Sequence, residues 1–335
     1  LTPAIVEKFA IFGIFDAIST AMTHDDYFLP HWFLTGPTAS GKSAVGLELA
    51  QLLDAEIVSL DSMAVFRGMN IGTAKPSAAE QQVVPHHLID LVDPWQDFSL
   101  ADYLHHARQV CDQITARGKR VLFVGGTPLY LKALLRGVFA GPAADWPLRQ
   151  RWQQFAETHD NAALHAELAK VDPSTAARLA PADVRRIVRA LEVFEKTGQS
   201  ITDLQQQFNR AHPAEACRVF VLDWPRDILA ERINQRVDAM LTAGWLDEVR
   251  TLISLDHPLS RTARQAVGYC ELADHLAGKL PLNSAVELIK QRTRQFAKRQ
   301  RTWFRSLSEC RFIPMEFSTP IDRLAARLAG CCAPD

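Results

Sequence analysis

Residues 32–43, WFLTGPTASGKS, decide how the rest of the chain reads. Gly36, Pro37, Thr38, Ala39, Ser40, Gly41, Lys42 and Ser43 satisfy the pattern G-x-x-x-x-G-K-[ST]. The apolar run Trp32–Leu34 before it reads as a buried strand. A helix is expected after it, from Lys42 to Leu53. In that order the three parts build a phosphate cradle, because loop N–H groups and a helix N-terminus converge on one anion. Gly36 and Gly41 let the backbone turn and approach closely. Lys42 supplies a point charge, and the Ser43 hydroxyl can hold Mg²⁺. A chance glycine turn before a core helix is the plainer alternative, and the register of strand, loop and helix argues against it. The motif names a phosphate. It leaves open whether that phosphate is transferred, hydrolysed or lost as a leaving group.

Outward from this stretch, strands and helices alternate. Glu56–Leu60 is a short β-branched run ending in Asp61-Ser62. Arg67–Ser77 is a polar, glycine-containing loop. His86–Val92 reads as a strand, Leu100–Arg117 as a helix stopped by Gly118, and Val121–Val124 as a central strand. Gly125-Gly126-Thr127 and a helix, Leu129–Arg136, follow at once. Such alternation means βαβ units and a parallel sheet. Gly137–Pro147 breaks the pattern. From Trp146 to Phe208 the signal is helical throughout: Pro147–Thr158, Asn161–Lys170, Pro173–Leu179, Ala182–Lys196 and Ile201–Phe208. Arg218–Leu222 returns as a strand, followed by helices at Pro225–Ala243, Leu246–Leu255, Gln265–Ala277 and Ser284–Arg305. The fold class expected is therefore α/β, a P-loop NTPase-like parallel sheet flanked by helices, with an all-helical insertion. Its divisions are a segment outside the core (1–30), a first core part (31–139), the insertion (140–213), a second core part with basic C-terminal helices (214–313) and a tail (314–335).

The chain has 335 residues, 47% of them hydrophobic, with a formal net charge of −1. That composition fits an ordinary globular protein of about two domains. Six cysteines are scattered without a C-x-x-C pair. This argues against a structural zinc site or a disulfide framework and suits a reducing cytoplasm. No apolar run approaches the roughly 18 residues of a membrane span. Phe9–Phe15 is short for a signal segment and is followed by Asp16. Met22 lies just upstream of the first core strand, so residues 1–21 are expected to precede the natural start.

In an open parallel sheet, ligands sit at the carboxyl ends of the strands. The phosphate loop, Asp61-Ser62 and Gly125-Gly126-Thr127 all fall there. Asp61 suits a general base or an Mg²⁺ ligand, against a capping role; Thr127 starts a helix and suits a cap, a functional role or both. Charge gathers in two places. Val184–Leu191 carries Arg185, Arg186 and Arg189, the first and last of them on one helix face. Lys290–Arg305 holds seven Lys and Arg with no acid, interleaved with Phe296, Trp303 and Phe304. Basic side chains beside aromatics suit a nucleic acid; the bland alternative is a solvated face. Arg232 and Arg236 could reach a phosphate, or pair with Glu231 and Asp227. His86-His87 and His105-His106 point apart and are read as structural.

These residues together resemble the tRNA dimethylallyltransferases (tRNA isopentenyltransferases) from Phe33 to Arg305. The matching stretches are GPTASGKS, SLDSMAVFRGMNIGTAKPS, PHHLID, VGGTPLYLKALLRG, RRIVRALEV, RINQRVDAML with GWLDEV, RQAVGY and TRQFAKRQRTWFR. Pro128 departs from the usual pattern after GGT. The resemblance is to the bacterial type, without the C-terminal zinc finger of eukaryotic relatives. It implies transfer of a dimethylallyl group from dimethylallyl diphosphate to the 6-amino group of the adenosine 3′ of the anticodon, releasing diphosphate. Asp61 and Thr127 would be catalytic. The loop Gly36–Ser43 and Arg232 would hold the diphosphate, with Mg²⁺ on Ser43. Contacts to the tRNA anticodon stem-loop would come from Asp61, Ser62, Met63 and Ala64, from Arg185, Arg186, Ile187, Val188 and Arg189, and from Arg264, Gln265, Ala266, Val267, Gly268 and Tyr269. A monomer in the cytoplasm is expected.

Three rivals stand beside this reading. A P-loop kinase of a small metabolite uses the same loop but turns over ATP. An isopentenyltransferase of free adenine nucleotides needs no helical insertion with arginines. A non-catalytic RNA-binding module has no use for Asp61 and Thr127 at the phosphate edge.

Overall fold

The computed structural model describes residues 26–139, 141–205, 211–317 and 319–331. The expected start at Met22, most of the expected segment 1–30 and the end of the expected helix Ile201–Phe208 lie outside them. The chain divides into two compact units, Asp26–Leu135 with Ala211–Asp335, and Arg136–Arg210.

The larger unit opens with β1 (Trp32–Thr35), the phosphate loop and α1 (Lys42–Leu53). Asp54 ends α1 in the left-handed region at φ 50°. β2 (Ala55–Ser59), α2 (Ala78–Val83) and β3 (His86–His87) follow. Then come α3 (Leu100–Ala116), β4 (Arg120–Gly125) and α4 (Pro128–Arg136). Ser77 with Glu80, and Ser99 with Asp102, form capping boxes that start α2 and α3.

The helical unit contains α5 (Trp146–His159), α6 (Asn161–Val171), α7 (Pro173–Arg178), α8 (Val184–Thr197) and α9 (Ile201–Leu204). It begins slightly ahead of the expected residue 140, because α4 runs out at Arg136 and Gly137 turns at φ 75°. Asp145, Asp160 and Asp172 each accept a backbone N–H as N-caps. Its small core gathers Leu164, Leu168, Ile187, Leu191 and Val193.

The chain returns to the larger unit with β5 (Arg218–Asp223), α10 (Arg226–Thr242) and α11 (Trp245–Ile253). It closes with α12 (Tyr269–Leu276), α13 (Leu282–Arg305), β6 (Cys310–Pro314) and α14 (Ile321–Gly330). Among the described residues the six strands are all parallel, in the order β3-β2-β4-β1-β5-β6. The central strands are buried on both faces, which is why they read as unbroken apolar runs. Phe33 and Phe123 stack between β1 and β4 with ring centroids 4.8 Å apart. Each such fully buried side chain contributes roughly 1.5–3 kcal/mol.

Three expectations change. The strand expected over His86–Val92 is two residues long. Leu88 and Asp90 take positive φ, and the N–H groups of Asp90, Leu91 and Val92 go to Ala64 and Val65 in a loop. The helix expected from Gln265 starts at Tyr269, because Gly268 turns at φ 100°. No strand is expected after Arg218–Leu222, yet β6 at the end of the second core part joins the sheet, and α14 of the tail completes the core, where Leu324, Ala325 and Leu328 join the cluster of Val45 and Leu49.

Candidate active site

The central strands end side by side. Thr35 of β1 pairs with Gly125 of β4, and Ser59 of β2 pairs with Val124. The loops beyond them therefore leave the sheet at one edge, where ligands bind in such sheets. The ladder continues one step further. Leu60 donates its N–H to Val124 at 2.9 Å, and Thr127 donates its N–H to Leu60 at 3.1 Å. A Cβ on Gly125 would sit 2.2 Å from the Leu60 carbonyl oxygen, so glycine permits this closeness. The contact brings the Asp61 and Thr127 segments together. The Thr127 hydroxyl accepts the Ser62 N–H at 3.1 Å, and the Asp61 carboxylate accepts the Met63 N–H at 2.8 Å. Asp61 thus makes a local turn, and its charge acts on Lys42, Arg236, Tyr103 and Tyr130.

The phosphate loop turns at Gly36 (φ 146°) and Gly41 (φ 92°). Three of its carbonyls are tied down individually. Pro37 accepts the Lys42 ammonium at 2.8 Å, Ala39 accepts Arg232 Nε at 2.9 Å, and Ser40 accepts the Trp224 indole N–H at 2.9 Å. The N–H groups of the same peptides point the opposite way. Thr38 donates its N–H to Gln300 Oε1 at 2.9 Å. Gly41 gives α1 no side-chain cap, unlike the boxes that start α2 and α3. The first-turn N–H groups of α1 are left for an anion.

Lys42 and two arginines make this edge positive. Burial and the charge of Arg236 push the Lys42 ammonium down to about 7, partly offset by Asp61. Burial also lowers the pKa of Arg236 and of Arg232. The Arg232 guanidinium lies 4.5 Å from the Trp224 ring centroid. It faces the loop rather than Glu231, which accepts from Gln235 instead.

The remaining candidates divide by burial. Ser62 and Met63 are half-buried beside Asp61, whereas Ala64 is buried. In the helical unit, Arg185 and Arg186 are exposed, with Asp183 3.1 Å from Arg186. Ile187 and Val188 lie in that unit's core. Arg189 turns inward, bonding Glu192 and the Pro142 carbonyl, so it does not share an open face with Arg185. Of Arg264–Tyr269, Arg264 and Gln265 are exposed, Val267 is half-buried, and Ala266, Gly268 and Tyr269 are buried. The Tyr269 hydroxyl donates to Glu248 at 2.7 Å. The basic helix α13 is less open than its sequence suggests, because acids arrive from other elements. Lys290 meets Asp238, Arg292 meets Glu271, and Arg301 and Arg305 meet Asp223. Lys298, Arg299 and Trp303 remain exposed.

One contributor escaped the sequence reading. Gln300 had no marker, being a neutral residue inside a basic run.

Residues 64–307 match the model of the family described as IPP transferase. The chain belongs to the IPP transferase family. A tRNA dimethylallyltransferase of Geobacter metallireducens is 46% identical over 295 residues, covering 88% of this chain and 95% of that protein. A tRNA dimethylallyltransferase of Symbiobacterium thermophilum is 49% identical, covering 83% and 86%. Among solved structures, a full-length tRNA isopentenylpyrophosphate transferase of Bacillus halodurans aligns with a TM-score of 0.63 at 37% identity, over 89% of this chain and 95% of that one. A eukaryotic dimethylallyltransferase acting on tRNA aligns with a TM-score of 0.67 at 27% identity, over 85% and 73%. The family match begins at residue 64, past the phosphate loop and Asp61, so the geometry of that loop is a separate observation pointing the same way.

Proposed function

We propose that this IPP transferase moves a dimethylallyl group from dimethylallyl diphosphate to the 6-amino group of the adenosine 3′ of the anticodon in tRNA, as a monomer in the cytoplasm. The observation that carries this reading is the meeting of a phosphate loop with Asp61 and Thr127 at one sheet edge. A Cβ on Gly126, next to Thr127, would lie 3.6 Å from the Lys42 ammonium.

The acceptor amine is a weak nucleophile, since its lone pair is shared with the purine. The protein must therefore help the leaving group. Loop N–H groups, Lys42, Arg232 and Arg236 stabilise charge as the carbon–oxygen bond to diphosphate breaks. The allylic carbon tolerates cationic character, so bond breaking runs ahead of attack. As the carbon–nitrogen bond forms, the amine acidifies and its proton passes to Asp61. Thr127 orders the reacting centre or meets a diphosphate oxygen.

Ser43 is exposed in the first turn of α1. Among the described residues no cluster of three or more His, Cys, Asp or Glu could hold a metal. That donor set fits Mg²⁺ held by one hydroxyl, diphosphate oxygens and water. When bound, Mg²⁺ would neutralise part of the diphosphate charge.

The adenine must leave its stack to reach this edge. Exposed Arg185, Arg186, Arg264, Lys298 and Arg299, with Trp303, are the side chains proposed to hold the anticodon stem-loop. Nucleoside mass spectrometry of tRNA incubated with the protein and dimethylallyl diphosphate tests the reading. A prenylated adenosine is expected. Transfer of labelled phosphate from ATP to a metabolite, with unmodified tRNA, would replace it with the kinase reading.

A further inference from the structure

We propose that Gln300 is a positioning residue whose amide locks the phosphate loop to the Gly125-Gly126-Thr127 turn, and so sets the departing diphosphate against the acceptor groups. This inference rests on the prenyl-transfer reading above.

Helix α13 delivers Gln300 from 262 residues downstream of Thr38. The side chain is 3% exposed. Its Oε1 accepts the Thr38 N–H at 2.9 Å, and its Nε2 donates to the Gly126 carbonyl at 2.5 Å. Both partners are backbone, so the amide has one orientation. A peptide N–H only donates and a carbonyl only accepts, and a flipped amide would present the wrong group to each. Ala297 and Phe304, three residues before and four after, are buried and seat this face of α13.

Several segments crowd the same point. A Cβ on Gly126 would lie 2.7 Å from Gln300 Nε2, 3.3 Å from the Gly36 carbonyl and 3.6 Å from Lys42 Nζ. The first glycine of the loop, its lysine and the glycine turn thus meet where Gln300 arrives. On one side of the amide lies the loop proposed to hold diphosphate. On the other lies the turn that carries Thr127 and braces Leu60, the residue before Asp61. A glutamate of the same length would set an oxygen against the Gly126 carbonyl. A methionine would keep the volume and offer neither bond. With either, the two loops lose their common crosspiece, and misplacement by about 1 Å costs on the order of 100-fold in rate.

The test compares wild type, Gln300→Met and Gln300→Glu in single-turnover prenyl transfer at saturating tRNA and dimethylallyl diphosphate. Gln300→Met is expected to slow transfer about 30- to 100-fold. Its tRNA dissociation constant should stay within about threefold of wild type, and its thermal midpoint should fall by no more than several degrees, leaving it folded in the assay. Gln300→Glu should be similarly slow at neutral pH. Its rate relative to wild type should recover as pH falls, because the protonated acid regains a donor toward Gly126. Transfer by Gln300→Met within about threefold of wild type overturns the proposal. So does a defect confined to the KM for tRNA, a Gln300→Glu ratio that ignores pH, or two unfolded variants, which would make the residue purely structural. A wild type that transfers nothing overturns the reading on which the proposal rests, and the proposal with it.

Discussion

Lys42 donates its ammonium to the carbonyl of Pro37, five residues back along its own loop, at 2.8 Å. Burial and Arg236 hold its pKa near 7 rather than the ordinary 10.5. A bound diphosphate favours the charged form and raises that pKa again. Above pH 7, binding must then draw in a proton. Diphosphate affinity is expected to fall as pH rises from about 7, by at most tenfold per pH unit from this group. Calorimetric titration of inorganic pyrophosphate between about pH 6 and 9 measures the slope, and Lys42→Met should flatten it. Folding stability runs the opposite way. Between about 7 and 10.5 the unfolded chain holds more protons on this lysine than the folded one. The lysine therefore makes stability rise with pH across that window.

Asp61→Ala removes the proton acceptor while its neighbours stay tied by the Leu60 contacts. Turnover should fall by at least about 100-fold, with tRNA affinity within a few-fold. Rapid-quench kinetics with a filter-binding titration separates the two. Normal turnover at saturation combined with lost tRNA binding would remove Asp61 from the base role.

Glu248 of α11 accepts the N–H groups of Asn70 and Ile71 at 2.8 and 2.7 Å, and of Gly72 at 3.3 Å. It also accepts the Tyr269 hydroxyl. One carboxylate therefore ties the glycine-containing loop after Asp61 to α11 and α12. Glu248→Ala leaves these donors unpaired and should lower stability by about 2–4 kcal/mol. Urea unfolding measures it, and a change under about 0.5 kcal/mol would contradict the tie.

Affinity for tRNA should drop at least about tenfold between roughly 50 and 200 mM salt, because phosphate contacts release counterions. Arg186→Ala should reduce the salt slope, whereas Arg189→Ala should chiefly destabilise the helical unit by removing one of the two arginines that pair with buried Glu192, leaving Arg149 alone on it. A flat response in wild type would contradict the proposed basic surface.

The sheet edge was legible in the sequence because each of its parts carries a local signal. A P-loop is written in glycines, and Asp61 and Thr127 each follow a strand directly. Burial was less legible. Ile187 and Val188 sit between arginines, yet the 3.6-residue period of α8 turns them into a core. Seven cations without an acid between them read as a surface for a nucleic acid, but several are paired, because their partners Asp238, Glu271 and Asp223 belong to other elements. The short β3 reflects the same limit: His86–Val92 is apolar enough for a strand, and only the pull of Ala64 and Val65 on its N–H groups ends it early. Gln300 depends on two backbone partners far away in sequence, and no residue pattern encodes such a contact.

The chain meets its own phosphate loop twice more, at Trp224 and Arg232 and again at Gln300, after a detour through the helical unit. During synthesis the loop emerges early, but its Ala39 and Ser40 carbonyls stay untethered until Trp224 and Arg232 have left the ribosome, and its link to Gly126 waits for α13. A nascent chain stopped just short of residue 300 carries the whole glycine motif and its first struts but not the amide that joins it to Gly126, so the loop takes its final shape only once a segment 262 residues beyond Thr38 has been made.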